Sequence, residues 1–289
     1  MLGKEFICII QLFMVKLQID FMHIITEEKL KFCSLYSGSE GNCQFIRENN
    51  TKILIDAGLS GKKIQDAIKY IDESPENIKG ILVTHEHADH IQGVGVLSRR
   101  YNIPIYANEK TWQAMEAQLG KIASENIMVF DSPFEIDDLH IEPFNISHDS
   151  VAPVGFKVFN NSKKITVLTD TGCVTEEIKS NLLNSDLILI EANHDEDMVM
   201  IGSYTWPLKQ RILSDVGHMS NTLSGNVLTE ILSKGTEAVL LGHLSKENNF
   251  IELAYKTVEN ILLENKIPLN NGISLDMTYR DKPSKVFNV

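Results

Sequence analysis

The sequence predicts one layered α/β domain in which helices cover mixed β-sheets. Short apolar stretches with strand character alternate with stretches whose apolar residues recur at helical spacing. No linker rich in Pro, Gly or Ser divides the 289 residues. With 43% hydrophobic and 23% charged residues, the chain has globular composition and enough apolar surface for a large core.

The strands and helices are predicted in turn from apolar periodicity and turn residues. The predicted strands are Lys31–Tyr36, Gln44–Arg47, Lys52–Asp56, Gly80–Val83, Ile103–Ala107, Ile127–Phe130, Leu139–Ile146, Val154–Phe159, Lys164–Thr169, Leu187–Glu191, Ala238–Leu241 and Gly272–Met277. The predicted helices begin near Gly61, continue from the first histidine cluster to about Arg100, and then cover Lys110–Leu119, Thr175–Leu183, Pro207–Ser214, Thr222–Leu232 and Ile251–Leu263.

The first 29 residues differ from the rest. Their apolar run, Phe6–Val15, is too short to span a bilayer. We interpret residues 1–29 as an extension outside the core fold and residues 30–289 as the single folded domain. A helix that binds a partner or a membrane surface is the alternative interpretation.

Charge and cysteine content limit the function. The net charge of −12 argues against coating nucleic acid through bulk charge, although a metal ion can supply positive charge locally. Four cysteines without a C-x-x-C pair do not indicate a disulfide framework. A reducing compartment, the cytoplasm, fits this composition.

The strongest chemical signal is the run Thr84-His85-Glu86-His87-Ala88-Asp89-His90, directly after a predicted buried strand. Histidine and aspartate are ligands for zinc, manganese or iron at hydrolytic centres. Two neighbouring groups of ligands leave room for two metal ions. Three more candidates, His148, Asp170 and His243, each follow a predicted strand, where loops gather and sites form.

This series of seven residues resembles the ligand set of the metallo-β-lactamase superfamily. The resemblance implies a four-layered αβ/βα sandwich. It implies one metal ion on His85, His87 and His148 and a second on Asp89, His90 and His243, with Asp170 between them. The identity of the two divalent ions, zinc, manganese or iron, stays open.

Further segments resemble the bacterial YycJ/WalJ (VicX) subfamily. They are Ser37-Gly38-Ser39-Glu40-Gly41-Asn42, Glu191-Ala192-Asn193-His194-Asp195, Trp206–Arg211, Gly217–Asn221 and Gly242–Asn249. Glu40 departs from the small polar residue that is common there. This resemblance implies a metal-dependent 5′-to-3′ DNA exonuclease, with DNA preferred to RNA as the substrate.

The resemblance also implies catalytic roles. Hydroxide generated between the two metal ions would attack phosphorus, His218 would protonate the leaving oxygen, and Glu191 would orient His218. Asp89, in addition to its role as a metal ligand, is a candidate for accepting the proton of the attacking water. The candidate substrate contacts are Ser39, Asn42, His194, Ser245 and Asn248.

Two alternatives stay open at this point. One is a small-molecule hydrolase of the same fold, acting on a thioester, a lactone or a cyclic phosphodiester. A thiolate leaving group needs no acid, so the Glu191/His218 pair favours phosphodiester cleavage. The other, again from the subfamily resemblance, is a regulatory partner of a cell-wall two-component system.

Overall fold

The computed structural model describes residues 30–160, 162–232, 235–269 and 272–289, which contain two seven-stranded sheets. The first sheet contains β1 (Lys31–Tyr36), β2 (Cys43–Glu48), β3 (Thr51–Ile55), β4 (Ile78–Leu82), β5 (Ile105–Ala107), β6 (Ile127–Val129) and β14 (Phe287–Asn288). The second contains β7 (Phe134–Ile136), β8 (Leu139–Asn145), β9 (Val154–Phe159), β10 (Lys164–Leu168), β11 (Leu187–Glu191), β12 (Ala238–Gly242) and β13 (Ser274–Met277). Their orders are β14-β1-β2-β3-β4-β5-β6 and β13-β12-β11-β10-β9-β8-β7.

Nine α-helices occur in the described residues. They are α1 (Gly61–Tyr70), α2 (Ala88–Ile91), α3 (Val94–Tyr101), α4 (Glu109–Leu119), α5 (Glu176–Leu182), α6 (Glu196–Ile201), α7 (Trp206–Ile212), α8 (Asn221–Ile231) and α9 (Ile251–Glu264).

Strand periodicity separates the side chains into layers. In β3, Ile53 and Ile55 enter the core between the sheets, whereas Leu54 enters a core on the other face of its sheet. In β11, Leu189 faces the first sheet across the core between the sheets, and Ile190 faces the helices on the other side. Helices α1, α3 and α4 cover the first outer face, and α5, α8 and α9 cover the second. Three apolar cores therefore separate four layers, which confirms the expected αβ/βα sandwich.

Most predicted elements are confirmed, with boundaries that move by a few residues. The structure adds three short elements that the sequence analysis missed, β7, α6 and β14. These contain three, six and two residues, too few for a periodic pattern to stand out. Residues 1–29 lie outside the described residues, so the boundary at residue 30 stays a prediction.

The helix predicted to follow the histidine cluster is divided at Gly93 into α2 and α3. The Asp89 carbonyl accepts a hydrogen bond from the Asn42 backbone N–H at 2.8 Å, and the Gly93 N–H donates to the Ala57 carbonyl at 2.7 Å. These two backbone groups bind the neighbouring loops instead of continuing the hydrogen-bond pattern of the helix. This tie fixes the position of Asp89 relative to the first sheet.

Parallel pairing places the chemistry at one end of the sandwich. β3 pairs with β4, and β11 pairs with β10 on one side and with β12 on the other, all in parallel. Their carboxyl ends therefore lie together, and the loops that follow them meet there. None of the helices in the described ranges has the length and apolar character that a bilayer crossing requires.

Candidate metal centre

The structure brings all seven predicted metal ligands together. Within each group that follows, one ligand atom of every member lies within 4.8 Å of those of the others. The groups are His85 with His87 and His148; Asp89 with His90 and His243; His85 with His90 and Asp170; and Asp170 with Glu191, His218 and His243. Asp170 thus shares one group with His85 and another with His243, between the two triads.

Three side chains reach this centre from strained backbone positions shortly after strands. Asp56 follows β3 with φ 60°, and His243 follows β12 with φ 54°. Asp170 lies two residues after the last residue of β10, also with φ 60°. The left-handed region is uncommon for residues other than glycine, although Asp and His adopt it more readily than most, and it costs about 1 kcal/mol or more at each such position. The packed sheets on both sides supply the stability that holds these turns.

Asp56 and Thr84 orient two of the histidines. Asp56 Oδ2 accepts from His90 Nδ1 at 2.7 Å and from Thr84 Oγ1 at 2.8 Å. Because the single hydroxyl proton of Thr84 points at Asp56, Thr84 Oγ1 is an acceptor for His85 Nδ1 at 3.0 Å. Both rings then carry their proton on Nδ1. Nε2 of His85 is then an unprotonated nitrogen that faces the centre, and Nε2 of His90 is an acceptor that lies 3.1 Å from Asn42 Nδ2.

His148 and His243 are oriented in the same way by other partners. His148 Nδ1 donates to the Gly217 carbonyl at 3.2 Å, and His243 Nδ1 donates to Glu191 Oε1 at 3.0 Å. Each leaves Nε2 for the centre. A hydrogen bond to Ser37 Oγ at 2.8 Å also fixes the backbone N–H of His243.

The predicted pair Glu191 and His218 is in contact. His218 Nδ1 lies 2.8 Å from Glu191 Oε1, and the other carboxylate oxygen accepts from the backbone N–H groups of Thr171 and Met219 at 3.1 and 3.3 Å. The Glu191 side chain is fully buried and that of His218 is 16% exposed. Glu191 thus engages Nδ1 of His218 and leaves Nε2 as the second imidazole nitrogen of the pair.

The donor set fits divalent cations. Asp170 Oδ2 and His243 Nε2 are buried and have no hydrogen-bond partner among the described residues. His85 Nε2, whose ring proton is already on Nδ1, lies only 3.1 Å from His87 Nδ1. Buried polar atoms are rarely left unpaired, and two facing ring nitrogens are stabilised by a shared cation. These residues are therefore able to hold metal ions.

The electrostatics of the centre also favour positive charge. Burial opposes a charged His90, but the carboxylates of Asp170, Asp56 and Asp89 raise its pKa well above the ordinary value. Burial likewise opposes a charged Asp89, yet the neighbouring His90 and His243 hold its pKa well below the usual range. Carboxylates that retain protons on buried imidazoles exchange those protons for metal ions when metal binds.

At His85 the balance is different, because burial, followed by the neighbouring histidines, lowers its pKa well below the ordinary value. A neutral imidazole is the form that binds a metal ion.

Asp56 and Thr84 were not predicted as site residues, although their contacts orient His85 and His90. A signal for Asp56 was present. Asp56-Ala57-Gly58 follows β3 as Asp170-Thr171-Gly172 follows β10, with aspartate at the strand end and glycine two residues later. Only the second of these was singled out.

A second missed pair lies beside His148. Asp149 Oδ1 is 3.4 Å from His148 Nε2, and both carboxylate oxygens of Asp149 accept from the guanidinium of Arg211, at 2.5 and 3.0 Å. Arg211 belongs to α7, so this pair fastens α7 to the loop that carries His148.

The predicted substrate contacts lie in different environments. Ser39 is exposed. Asn42 is buried, with Nδ2 at 3.1 Å from His90 Nε2. His194, Ser245 and Asn248 are 1%, 7% and 2% exposed, and burial lowers the pKa of His194 to about 4. Their contact with substrate stays a prediction.

Comparison with known proteins agrees with this geometry. Residues 51–243 match the family model described as a Beta-lactamase superfamily domain. The chain is 44% identical to Exodeoxyribonuclease WalJ of Streptococcus pneumoniae, over 89% of this chain and 96% of that protein. It is 38% identical to Exodeoxyribonuclease YycJ of Bacillus anthracis, over 89% of this chain and 98% of that protein.

Among solved structures, the metallo-beta-lactamase fold protein YhfI from Bacillus subtilis superposes with a TM-score of 0.66 at 17% identity, covering 89% of this chain and 99% of that one. The four-layered sandwich and its His/Asp centre define a metal-dependent hydrolase. The chain belongs to the metallo-β-lactamase superfamily and, within it, to the family of WalJ and YycJ.

Proposed function

We propose that this chain is a metal-dependent exodeoxyribonuclease that degrades DNA from the 5′ end toward the 3′ end. Two relatives that it matches over nearly their whole length are named exodeoxyribonucleases. The observation that carries the proposal is the hydrogen bond between His218 and Glu191, next to the cluster of metal ligands. This pair supplies an acid for an alkoxide leaving group, which thioester cleavage does not require.

In this proposal the centre would bind two divalent ions, of zinc, manganese or iron. His85, His87 and His148 would hold one, Asp89, His90 and His243 would hold the other, and Asp170 would be the ligand that the two groups share. When bound, such ions lower the pKa of a water molecule and neutralise charge on phosphoryl oxygens.

His218 acts as the general acid from Nε2. Its Nδ1 is held by Glu191 at 2.8 Å, so the ring cannot rotate away. Its ring centroid lies 5.2 Å from that of His148 and 5.3 Å from that of His243, between members of the two triads. Burial opposes the charged form of Glu191, but His218 and His243 hold the pKa of this carboxyl well below its usual value. An ionised Glu191 stabilises the imidazolium that donates the proton.

Asp89 is the candidate for accepting a proton from the attacking water. Its side chain is 27% exposed, more than the other carboxylates of the centre, and its low pKa keeps it ionised. It therefore faces the accessible side of the cluster, where substrate enters.

Substrate binding and location complete the proposal. DNA is the preferred nucleic acid, and Ser39, Asn42, His194, Ser245 and Asn248 contact or support it. Cys33, Cys43 and Cys173 are free thiols, which suits the reducing cytoplasm.

A digestion time course tests the function. Duplex DNA labelled at one 5′ end is incubated with the metal-loaded chain, with Asp89→Ala, and with Asp138→Ala, which changes an exposed aspartate in the turn between β7 and β8. We expect immediate release of labelled mononucleotide by the wild type and by Asp138→Ala, and none by Asp89→Ala. A ladder that shortens gradually while the label persists would reverse the polarity. Intact DNA in the presence of fully metal-loaded protein would exclude the nuclease.

A further inference from the structure

A cavity of about 520 Å³ lies beside the metal centre and has no role in the mechanism above. Ser37 and Leu244 line it. Leu244 directly follows the proposed ligand His243, and Ser37 Oγ accepts the hydrogen bond of the His243 N–H at 2.8 Å. The cavity and the metal centre therefore share a wall.

The wall is the 37–42 loop, residues Ser37 to Asn42. The loop is closed on itself, because Gly38 N donates to Asn42 Oδ1 at 3.0 Å and Gly41 N donates to Gly38 O at the same distance. Its first residue lines the cavity, and its last residue touches His90. A ligand in the cavity is thus separated from the metal centre by the width of a single loop.

Three cations, Lys63, Lys246 and Arg280, line the cavity together with the carboxylate of Glu40. Lys246 Nζ lies 2.8 Å from Glu40 Oε1. The pKa of Glu40 is lowered by the hydrogen bond and charge of Lys246, and also by the charges of Arg280 and Lys63. All three cations therefore act on the place that the Glu40 carboxylate occupies, and a phosphate placed there would meet the same field.

Arg280 contributes a donor that the protein itself does not use. Its Nη1 is buried and has no hydrogen-bond partner among the described residues. Its aliphatic stem lies against Gly38, where a Cβ atom would be 2.5 Å from Arg280 Cγ. The glycine lets the guanidinium side chain lie directly on the 37–42 loop. The guanidinium therefore retains a hydrogen-bond donor that is available to an anionic ligand.

Two tyrosines also line the cavity, together with Ile251, Thr278 and a second carboxylate, Asp281. Tyr36 is tied by its hydroxyl, which donates to the Lys63 carbonyl at 3.3 Å. The ring of Tyr279 carries Lys282 Nζ at 4.4 Å from its centroid. Aromatic rings next to cations are the surfaces on which nucleic-acid bases stack, and a cavity of this size holds a group as large as one nucleotide.

We propose that this cavity is a second nucleic-acid subsite, which binds one phosphate of the substrate strand on Arg280, Lys63 and Lys246 while the attached base packs against Tyr36 or Tyr279. The Glu40 carboxylate occupies the phosphate position until substrate displaces it. This inference rests on the proposed nuclease function, because it adds a second contact for the strand whose end lies at the metal centre.

Binding is measured first, by fluorescence anisotropy of a short single-stranded DNA with the full chain carrying Asp89→Ala, so that the strand is not cleaved. Arg280→Gln and Lys63→Gln should each weaken binding roughly fivefold or more and reduce the slope of log Kd against log salt by about 1. Glu40→Gln should tighten binding roughly two- to fivefold, because an anion that competes with phosphate is removed. Lys79→Gln is the matched control, at the amino end of β4 and far from His85.

The tightening by Glu40→Gln separates the proposal from a structural role, since a loosened loop would only weaken binding. Equal affinity of Arg280→Gln, Lys63→Gln and Lys79→Gln, or no gain from Glu40→Gln, would overturn it. Thermal midpoints identify a variant that does not fold. Arg280→Gln and Lys63→Gln test the subsite independently of each other.

Kinetics then distinguish the subsite from the nuclease activity itself. With the otherwise intact chain, Arg280→Gln should raise KM for DNA while turnover of bis(4-nitrophenyl) phosphate, which is too small to span both sites, stays within twofold. If the wild type binds the strand as described but cleaves no DNA, the nuclease proposal fails and the subsite stands. If the wild type cleaves DNA and Arg280→Gln leaves KM unchanged, the subsite fails alone.

Discussion

Asp56 Oδ2 lies 2.7 Å from His90 Nδ1, and both side chains are almost completely buried. The same oxygen accepts the Thr84 hydroxyl, which in turn accepts from His85. One carboxylate therefore sets the ring orientation of a histidine in each of the two proposed metal sites. A residue that touches neither metal position controls the geometry of both.

Asp56→Asn should lower metal affinity about 10- to 100-fold, because an amide nitrogen cannot accept at the Oδ2 position. Elemental analysis after dialysis against graded chelator measures this loss. Glu135→Gln is the control, since Glu135 Oε1 makes the same contact with His140 Nδ1, at 2.6 Å, on the surface. Full metal content in Asp56→Asn would contradict the assigned role.

His218→Ala should reduce kcat about 10²- to 10⁴-fold and leave metal content unchanged, because it removes only the proton donor. Activity on DNA and elemental analysis of the same preparation test both parts. Glu191→Gln should change both quantities, since Glu191 also holds His243 at 3.0 Å. Loss of metal in His218→Ala would instead assign His218 to the ligand set.

Gly58→Ala should disturb the metal centre from a distance. A Cβ atom at Gly58 would lie 1.6 Å from the Asp89 carbonyl oxygen and 2.6 Å from the Asn42 backbone nitrogen. The backbone that carries Asp89 must therefore move, and we expect lower thermal stability together with reduced metal content.

Gly61→Ala is the control for this prediction. It places a Cβ atom, at the start of α1, 3.0 Å from Cγ1 of Val96, whose exposed side chain has room to shift by a few tenths of an ångström, and should be tolerated. Similar melting temperatures and metal contents for the two glycine variants would refute the argument from close packing at Gly58.

Cys33 should make stability fall at alkaline pH. Burial raises the pKa of its thiol from 9.0 to about 11, against the weaker effect of its contacts with Ser284. Above pH 9 the thiol ionises in the unfolded state but retains its proton in the folded state. The free energy of unfolding therefore decreases as the pH rises from 9 to the folded pKa. The slope attributable to this group is at most about 1.4 kcal/mol per pH unit.

Urea unfolding at pH 8, 9 and 10 measures this effect as the difference between wild type and Cys33→Ala. The variant should lose less stability than the wild type across this range. Parallel pH profiles for the two proteins would show that the Cys33 thiol titrates normally.

The sequence was sufficient for the architecture and for the seven proposed ligands. Continuous apolar runs in buried strands such as Leu187–Glu191, and the dense His/Asp run after Leu82, are local patterns that the sequence shows directly. Short elements such as β7 and β14 could not be predicted, because their stability comes from pairing with β8 and β1 rather than from their own residues.

Only the tertiary structure could assign partners. Asp56 meets His90 across 34 positions, and Ser37 meets His243 across 206 positions. Neither contact has a local signature, because a buried polar residue is indistinguishable in sequence from an exposed one. The same is true of Arg280, whose unpartnered guanidinium near the 37–42 loop depends on Gly38 being close enough to touch. The dense His/Asp run and the family resemblance thus indicated which chemistry this protein carries, whereas packing decided which side chains orient the proposed ligands, because those partners are distant in the chain.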